Sequence, residues 1–268
     1  MRAAQLPPLL LHFTPLSAPL CPSLPLSAPL CPSLPLSAPL CPSLPVLYLV
    51  ATPIGNLGDI SARAIEVLRS VDIVAAEDTR HSGNLLRHFG ISTRMVSCHA
   101  HNEARRTAEL TIELKAGRKV ALISDAGLPS ISDPGHRLLR SCIQENIPYT
   151  VIPGPSAVLT ALVGSGLDAT RFFFGGFLPV KSGGRERELD AARAREETTV
   201  LFESPHRILK TLEACTRILP DRPICVAREL TKQFEEYRRG VAAELLAHYT
   251  AHPAKGEIAL VIAGMSAR

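Results

Sequence analysis

Glutamate, aspartate, arginine and histidine fall together at Glu77, Asp78, Arg80 and His81, directly after the apolar run VDIVAA. Paired carboxylates beside an imidazole and a guanidinium can move protons, or they can form a structural ion-pair network; the sequence leaves both open. A second group, His99, His101 and Glu103, has the donor types of a metal site, with His81 alike in kind. No Cys or Asp spacing accompanies it, so polar cleft residues fit better and no metal is expected. The stretch SDAGLPSISDPG, residues 124–135, offers Asp125 and flexible backbone at Gly127. Helix-start N–H groups behind it could meet a carboxylate.

These residues need elements to hold them. KVALIS, ahead of Asp125, reads as a buried parallel strand. HRLLRSCI behind it reads as a helix with Leu138, Leu139, Cys142 and Ile143 on one face, and Asp133 and Pro134 suit its N-cap and first position. The same strand-then-loop form recurs where VLYLVA, Val46 to Ala51, ends in TPIGNLGD, and where NIPYTVI ends in PGPS. Asp59 is placed to cap a helix whose Ile60, Ala64, Val67, Leu68 and Val71 share a face, and NLLRHFG and EARRTAELTIELKAG are helical. Strands alternating with helices predict a mostly parallel α/β sheet, with matching loops converging on one crevice. Neither GxGxxG nor GxxxxGK[ST] is present, so a usual dinucleotide or P-loop site has no support.

From about Thr170 the pattern changes. RFFFGGFLP is a strand, and Lys181 to Arg195 is very polar, more plainly a solvated helix than a mobile substrate flap. TTVLFESPHR is a strand ending in Glu203, with Ser204 and Pro205 as cap and first position of a helix carrying the stripe Ile208, Leu212, Cys215 and Leu219. PICVARELTK and GEIALVIAG are further strands, with QFEEYRRG as a paired partner. The expected fold class is α/β in two domains: a mostly parallel-sheet N-terminal domain over 46–168 and a smaller mixed-sheet α/β C-terminal domain over 169–268. The cleft between them is the natural site.

The chain of 268 residues is 46% hydrophobic and 20% charged, ordinary for a globular protein, and its net charge of +4 permits a nucleic-acid partner without demanding one. With 4% aromatics and no Trp, base stacking on exposed rings is a poor recognition mode. No apolar run approaches a membrane span. Residues 15–44 hold three copies of PLSAPLCPSL, too rich in proline for helix or sheet, so 1–45 is expected to be a disordered extension. Cys98, Cys142, Cys215 and Cys225 show no CxxC spacing and read as apolar fillers in a reducing, cytosolic compartment.

In order and spacing, VATPIGNLGDI, AAEDTRH, HNE, SDAG with ISDPG, PGPSA, GGFLP, ESPHR, ARELTK and GEIALVIAG make the chain resemble the tetrapyrrole methylase superfamily, the class III S-adenosylmethionine-dependent methyltransferases. Within it they resemble the small-subunit rRNA (cytidine-2'-O)-methyltransferases, from about Leu47 to Gly264. That family usually has threonine where Leu128 stands, glycine or alanine at Ser130, and YHEHNE where this chain has CHAHNE.

The resemblance implies the class III fold, with S-adenosyl-L-methionine folded into the interdomain cleft along Pro53, Gly55, Asp125, Gly127, Leu128, Ser156 and Ala157. It implies methyl transfer to a ribose hydroxyl in the decoding region of small-subunit rRNA, in a cytoplasmic homodimer acting on that rRNA or its ribosomal subunit. Such a hydroxyl needs help from a base or acceptor, for which Glu77, Asp78, His99, Glu203 and His206 are candidates. Arg80, Arg105, Arg106, Arg207, Arg228 and Lys232 are candidates for RNA phosphate contacts. Two other readings stay open: a small-molecule tetrapyrrole methylase, and a non-catalytic rRNA-binding or assembly protein.

Overall fold

The computed structural model describes residues 46–265; the expected extension over 1–45 lies outside the described residues. Five short apolar segments, β1 (Leu47–Val50), β2 (Ile73–Ala76), β3 (Arg94–Ser97), β4 (Val120–Ile123) and β5 (Tyr149–Ile152), form one all-parallel sheet in the order β3-β2-β4-β1-β5. Alternation along β1 sends Tyr48 and Val50 to one face and Leu47 and Leu49 to the other. Both faces are covered. Helix α1 (Ala62–Ser70) and α2 (Thr79–His88) close the first through Ala64, Val67, Leu68 and Leu86. Helix α3 (Glu103–Lys115) and α4 (His136–Gln144) close the second through Leu110, Leu114, Leu138 and Cys142. Two-sided burial explains why the strands are continuous apolar runs.

The chain leaves β1 toward one edge of the sheet and returns at β4, so α1 and α4 start from neighbouring strands on opposite faces. That is a topological switch point, where the loops after β1 and β4 part and a crevice opens.

After β5, α5 (Ala157–Ser165) leads to a second sheet of β6 (Phe172–Phe177), β7 (Thr198–Glu203), β10 (Ile258–Ile262), β8 (Ile224–Arg228) and β9 (Glu236–Gly240), in that spatial order. Only the β6–β7 pair is parallel, as the expected mixed sheet requires, and QFEEYRRG does supply β9. Helix α5 packs on this sheet through Val158, Ala161 and Leu162, against Val200, Cys225, Ala227 and Val261, and Ile54 from the loop after β1 joins the same cluster. The far face is covered by α6 (Ser182–Ala194), α7 (Ile208–Ile218) and α8 (Ala242–Ala251) through Leu189, Leu212, Cys215, Leu245 and Tyr249. Cys98, Cys142, Cys215 and Cys225 are all buried free thiols, which burial pushes up to about 11, and to about 12 for Cys215.

Several local expectations are corrected. Asp59 lies in a 3₁₀ turn, and Ser61 caps α1, its Oγ accepting from Ala64 N–H at 3.1 Å. Asp133 and Pro134 do not start α4, which begins at His136 behind Gly135. Ser204 and Pro205 lie in a turn ahead of α7, which starts at Ile208 behind Arg207. Ile143 is exposed rather than core-facing. The polar stretch after Lys181 is the expected helix but is not wholly solvated: α6 buries Arg185, Leu189 and Ala192. Helix α8 had no sequence signal, because Val241 has no side-chain acceptor; Glu244 alone reaches back, accepting from Val241 N–H at 3.2 Å. Among the described residues, no helix is long and apolar enough to cross a membrane.

Candidate active site

The loops after β1, β4 and β5 meet at the switch point. Thr52 and Gly127 form an antiparallel bridge, with N–H···O distances of 2.9 and 3.1 Å, and Thr52 Oγ1 donates to Ser124 C=O at 3.1 Å. Gly127 adopts φ +77°, open to glycine at no cost, and a Cβ there would lie 3.6 Å from Ile54 Cγ2 and 3.7 Å from Pro155 O. So Pro53, Gly127 and the PGPS loop share one small region. Ser156 caps α5, its Oγ accepting from Leu159 N–H at 3.4 Å, and Ala157 opens the helix.

The second sheet closes on this region at two places. Gly55 lies so near Lys232 that a side chain would strike it, and Asn56 N–H donates to Thr231 Oγ1 at 3.2 Å. A Cβ on Gly176, at the bulge of β6, would lie 3.4 Å from Ser132 Oγ in the loop after β4. The two sheets thus meet around these loops.

Carboxyl groups collect at the ends of β2 and β4. Asp125 Oδ1 accepts from Asp78 N–H at 3.1 Å. Burial raises the Glu77 carboxyl above the usual range, with repulsion from Asp133 and Asp125 adding to it. Asp133 is pushed up to about 6, chiefly by burial and further by Asp125, against a hydrogen bond with Ser124 that pulls it down. Asp133 is a further candidate, which its place in the sequence had offered only as a helix cap. Its Asp-Pro context signalled a cap, and nothing local told that a distant residue caps α4 instead.

Asp78 has another role. Its carboxylate caps α2, accepting from Arg80 N–H at 2.8 Å, and pairs with the Arg80 guanidinium at 3.1 Å, which holds it below the usual range. His99 follows β3 at the same end of the sheet; its N–H donates to Asn102 Oδ1 at 2.9 Å, and its buried Nδ1 has no partner among the described residues. Leu128 is half-buried beside Gly127.

Other expected site residues are committed to the fold. Glu203 is 2% exposed. Its Oε1 accepts from Ser204 N–H and pairs with Arg207 Nη2, both at 2.7 Å, and its Oε2 accepts from Thr211 Oγ1 at 2.5 Å. Both oxygens are thus engaged within the fold, and Arg207 is held with them. Arg228 pairs with Glu236, and Lys232 with both Glu229 and Glu257. Arg106 is tied to Glu109 and Ser97 C=O. Arg105 and Arg80 are well exposed, and His206 is exposed at the turn before α7. Glu103, read as a polar cleft residue with His99 and His101, turns its carboxylate onto the start of α4 instead.

The family model described as Tetrapyrrole (Corrin/Porphyrin) Methylases matches residues 46–246, and the chain belongs to that family of methylases. The protein named "Ribosomal RNA small subunit methyltransferase I" in Synechocystis sp. is 50% identical over 220 residues, covering 82% of this chain and 79% of that protein. Its namesake in Escherichia coli O157:H7 is 46% identical over 225 residues, covering 83% and 79%. Among solved structures, a cobalt precorrin-4 methyltransferase of cobalamin biosynthesis superposes with a TM-score of 0.62 at 16% identity, over 82% of this chain and 95% of the other. The uroporphyrin-III-C-methyltransferase of Thermus thermophilus gives 0.58 at 21%, over 82% and 94%. These two show a shared fold, the class III methyltransferase architecture.

Proposed function

We propose that this protein is an S-adenosylmethionine-dependent methyltransferase that methylates the ribose 2'-oxygen of a cytidine in the decoding region of small-subunit rRNA. The observation that carries this is the 50% identity, over 82% of the chain, to a protein named for methylation of that RNA. The crevice fits the cofactor. Half-buried carboxyls that repel one another favour a ligand bearing positive charge, and Glu77 and Asp133, both raised by burial with the neighbouring Asp125 adding to it, are such a pair. When bound, S-adenosylmethionine would supply an electrophilic methyl on a sulfonium. Pro53, Gly55, Gly127, Leu128, Ser156 and Ala157 would line its place, with Asp125 among them.

The chain's own task is to align the hydroxyl in line with that methyl and to keep water out. A proton acceptor works best with a pKa near the working pH. Glu77, raised by burial, suits that role better than Asp78, lowered by Arg80. His99, with its unpartnered Nδ1, is the second candidate, and His206, exposed at the turn before α7, is the third. Arg80 and Arg105, both exposed, are the first phosphate contacts to test.

The test is transfer of labelled methyl to small ribosomal subunits lacking the modification, with the product nucleotide mapped. Ribose label on one decoding-region cytidine is expected. Label only on a tetrapyrrole, or RNA binding without any transfer, would replace this reading with one of the two alternatives.

The same reading puts the protein in the cytoplasm, as a homodimer. Leu159 and Val163 on α5, and Tyr149 and Val151 on edge strand β5, are exposed and apolar, which supports burial against a second copy. A monomer by light scattering would reject the dimer.

A further inference from the structure

Helix α4 starts without a cap of its own. Its N-cap residue is Gly135, at φ 126°, with no side chain to accept from the first N–H groups. Glu103, the first residue of α3, supplies what is missing. Its Oε1 accepts from Gly135 N–H at 2.9 Å and from Arg137 N–H at 3.2 Å, and its Oε2 lies 3.4 Å from Arg137 Nε. The Glu103 side chain is 13% exposed, so these bonds are largely shielded from water.

This arrangement releases Asp133. An aspartate before a proline would ordinarily turn back to cap the helix; here the helix start is held by Glu103, and the half-buried Asp133 carboxyl lies close enough to Asp125 and Glu77 to be repelled by them. The loop between cap and strand is tightly held: Ser130 and Ser132 take φ of 72° and 64°, and a Cβ on Gly135 would strike Leu122 Cδ2 at 2.5 Å. A short, strained loop keeps its shape only if both ends are fixed. One end is β4; the other is the Glu103 cap.

We propose that Glu103 is a positioning residue for methyl transfer, setting the β4–α4 loop from α3 so that Asp125 and Asp133 stand at the crevice. This rests on the methyl-transfer reading above. The role needs an acceptor oxygen at the Oε1 position, not a negative charge or a proton acceptor.

The experiment compares Glu103→Ala, Glu103→Gln and Arg137→Ala in the full chain. Each variant is read by steady-state methyl transfer across pH and by amide hydrogen exchange at Gly135 and Arg137. Glu103→Ala is expected to raise the cofactor KM and lower kcat/KM by up to about 100-fold, the usual penalty for a misplaced group, with faster exchange at both amides. Glu103→Gln keeps an oxygen where Oε1 stands and should restore both readouts with the pH profile unchanged. Arg137→Ala removes only an exposed ion pair and should stay near wild type.

If Glu103→Gln proves as impaired as Glu103→Ala, the charge matters and the proposal falls. It falls also if Glu103→Ala keeps wild-type kcat/KM. Should Glu103→Ala not fold, an active Glu103→Gln with protected amides supports the proposal and an inactive one overturns it. A wild-type protein that transfers no methyl would sink the methyl-transfer reading alone; the exchange experiment needs no cofactor and still decides whether Glu103 holds the loop.

Discussion

Burial and the nearby Asp125 push the Asp133 carboxyl up to about 6, against an ordinary aspartate value of 3.8. The unfolded chain therefore loses this proton near pH 4, while the folded chain holds it until about pH 6. Folding is favoured by the retained proton at low pH, and that contribution fades as pH rises from about 4 to 6. Asp133→Asn should consequently be more stable than wild type at pH 8, with the difference vanishing near pH 4. Denaturant midpoints at the two pH values check this; a variant less stable than wild type at pH 8 would show that Asp133 is stabilised as an anion. The residue also marks where the sequence ran out. Glu77, Asp78 and Asp125 were legible because each ends an apolar run. Asp133 stands two residues before Gly135, whose N–H donates to Glu103 Oε1 across 32 positions, a pairing that no local pattern encodes.

Helix α7 shows the same limit from the other side. Its stripe Ile208, Leu212, Cys215 and Leu219 was readable from 3.6-residue spacing, and all four are buried. The function of the glutamate before it was not readable, since Glu203 looks like any acid at a strand end. In the fold its carboxylate is fully buried, bonded to Ser204 N–H, Thr211 Oγ1 and Arg207. Removing it leaves Arg207 with only the Leu178 carbonyl, 3.0 Å from its Nη1, and takes the acceptor from the Ser204 N–H. Glu203→Ala should therefore cost about 3 kcal/mol or more, the range for breaking a buried pair from one side. Chemical denaturation measures it. A loss well under 1 kcal/mol would mean that the network contributes little and that Glu203 is kept for another purpose. Helix α8 escaped the sequence reading for a plainer reason: its N-cap position is Val241, which signals nothing.

At the scale of the molecule, alternating strands and helices foretold the parallel sheet, and the change of pattern near Thr170 foretold the mixed one. What the sequence did not tell is how the two are joined. Helix α5 follows the last parallel strand yet buries Val158, Ala161 and Leu162 against the second sheet, together with Ile54 from the first crevice loop. The second sheet and the loop after β1 cannot shed α5 without exposing apolar surface. Unfolding in denaturant should be one transition, with far-UV and near-UV circular dichroism coincident. Leu162→Ala, losing a side chain 2% exposed, should lower stability by roughly 2–5 kcal/mol and keep the single transition. Two separated transitions in the wild type would show that the sheets are energetically independent.

The four buried thiols have a use that the fold did not need them for. Cys98 and Cys142 lie in the core of the parallel sheet, and Cys215 and Cys225 in the two layers flanking the mixed one. Out of contact with water and held protonated, they are silent toward alkylating reagents until the surrounding layer opens. They are four stopwatches, two in each half of the molecule. Peptide-level mass spectrometry after a pulse of maleimide would read them one by one, in the native protein and without any substitution. If all four start together, opening is global; if one pair runs ahead, that half breathes first, and a saturating ligand in the crevice should slow all four to a common pace.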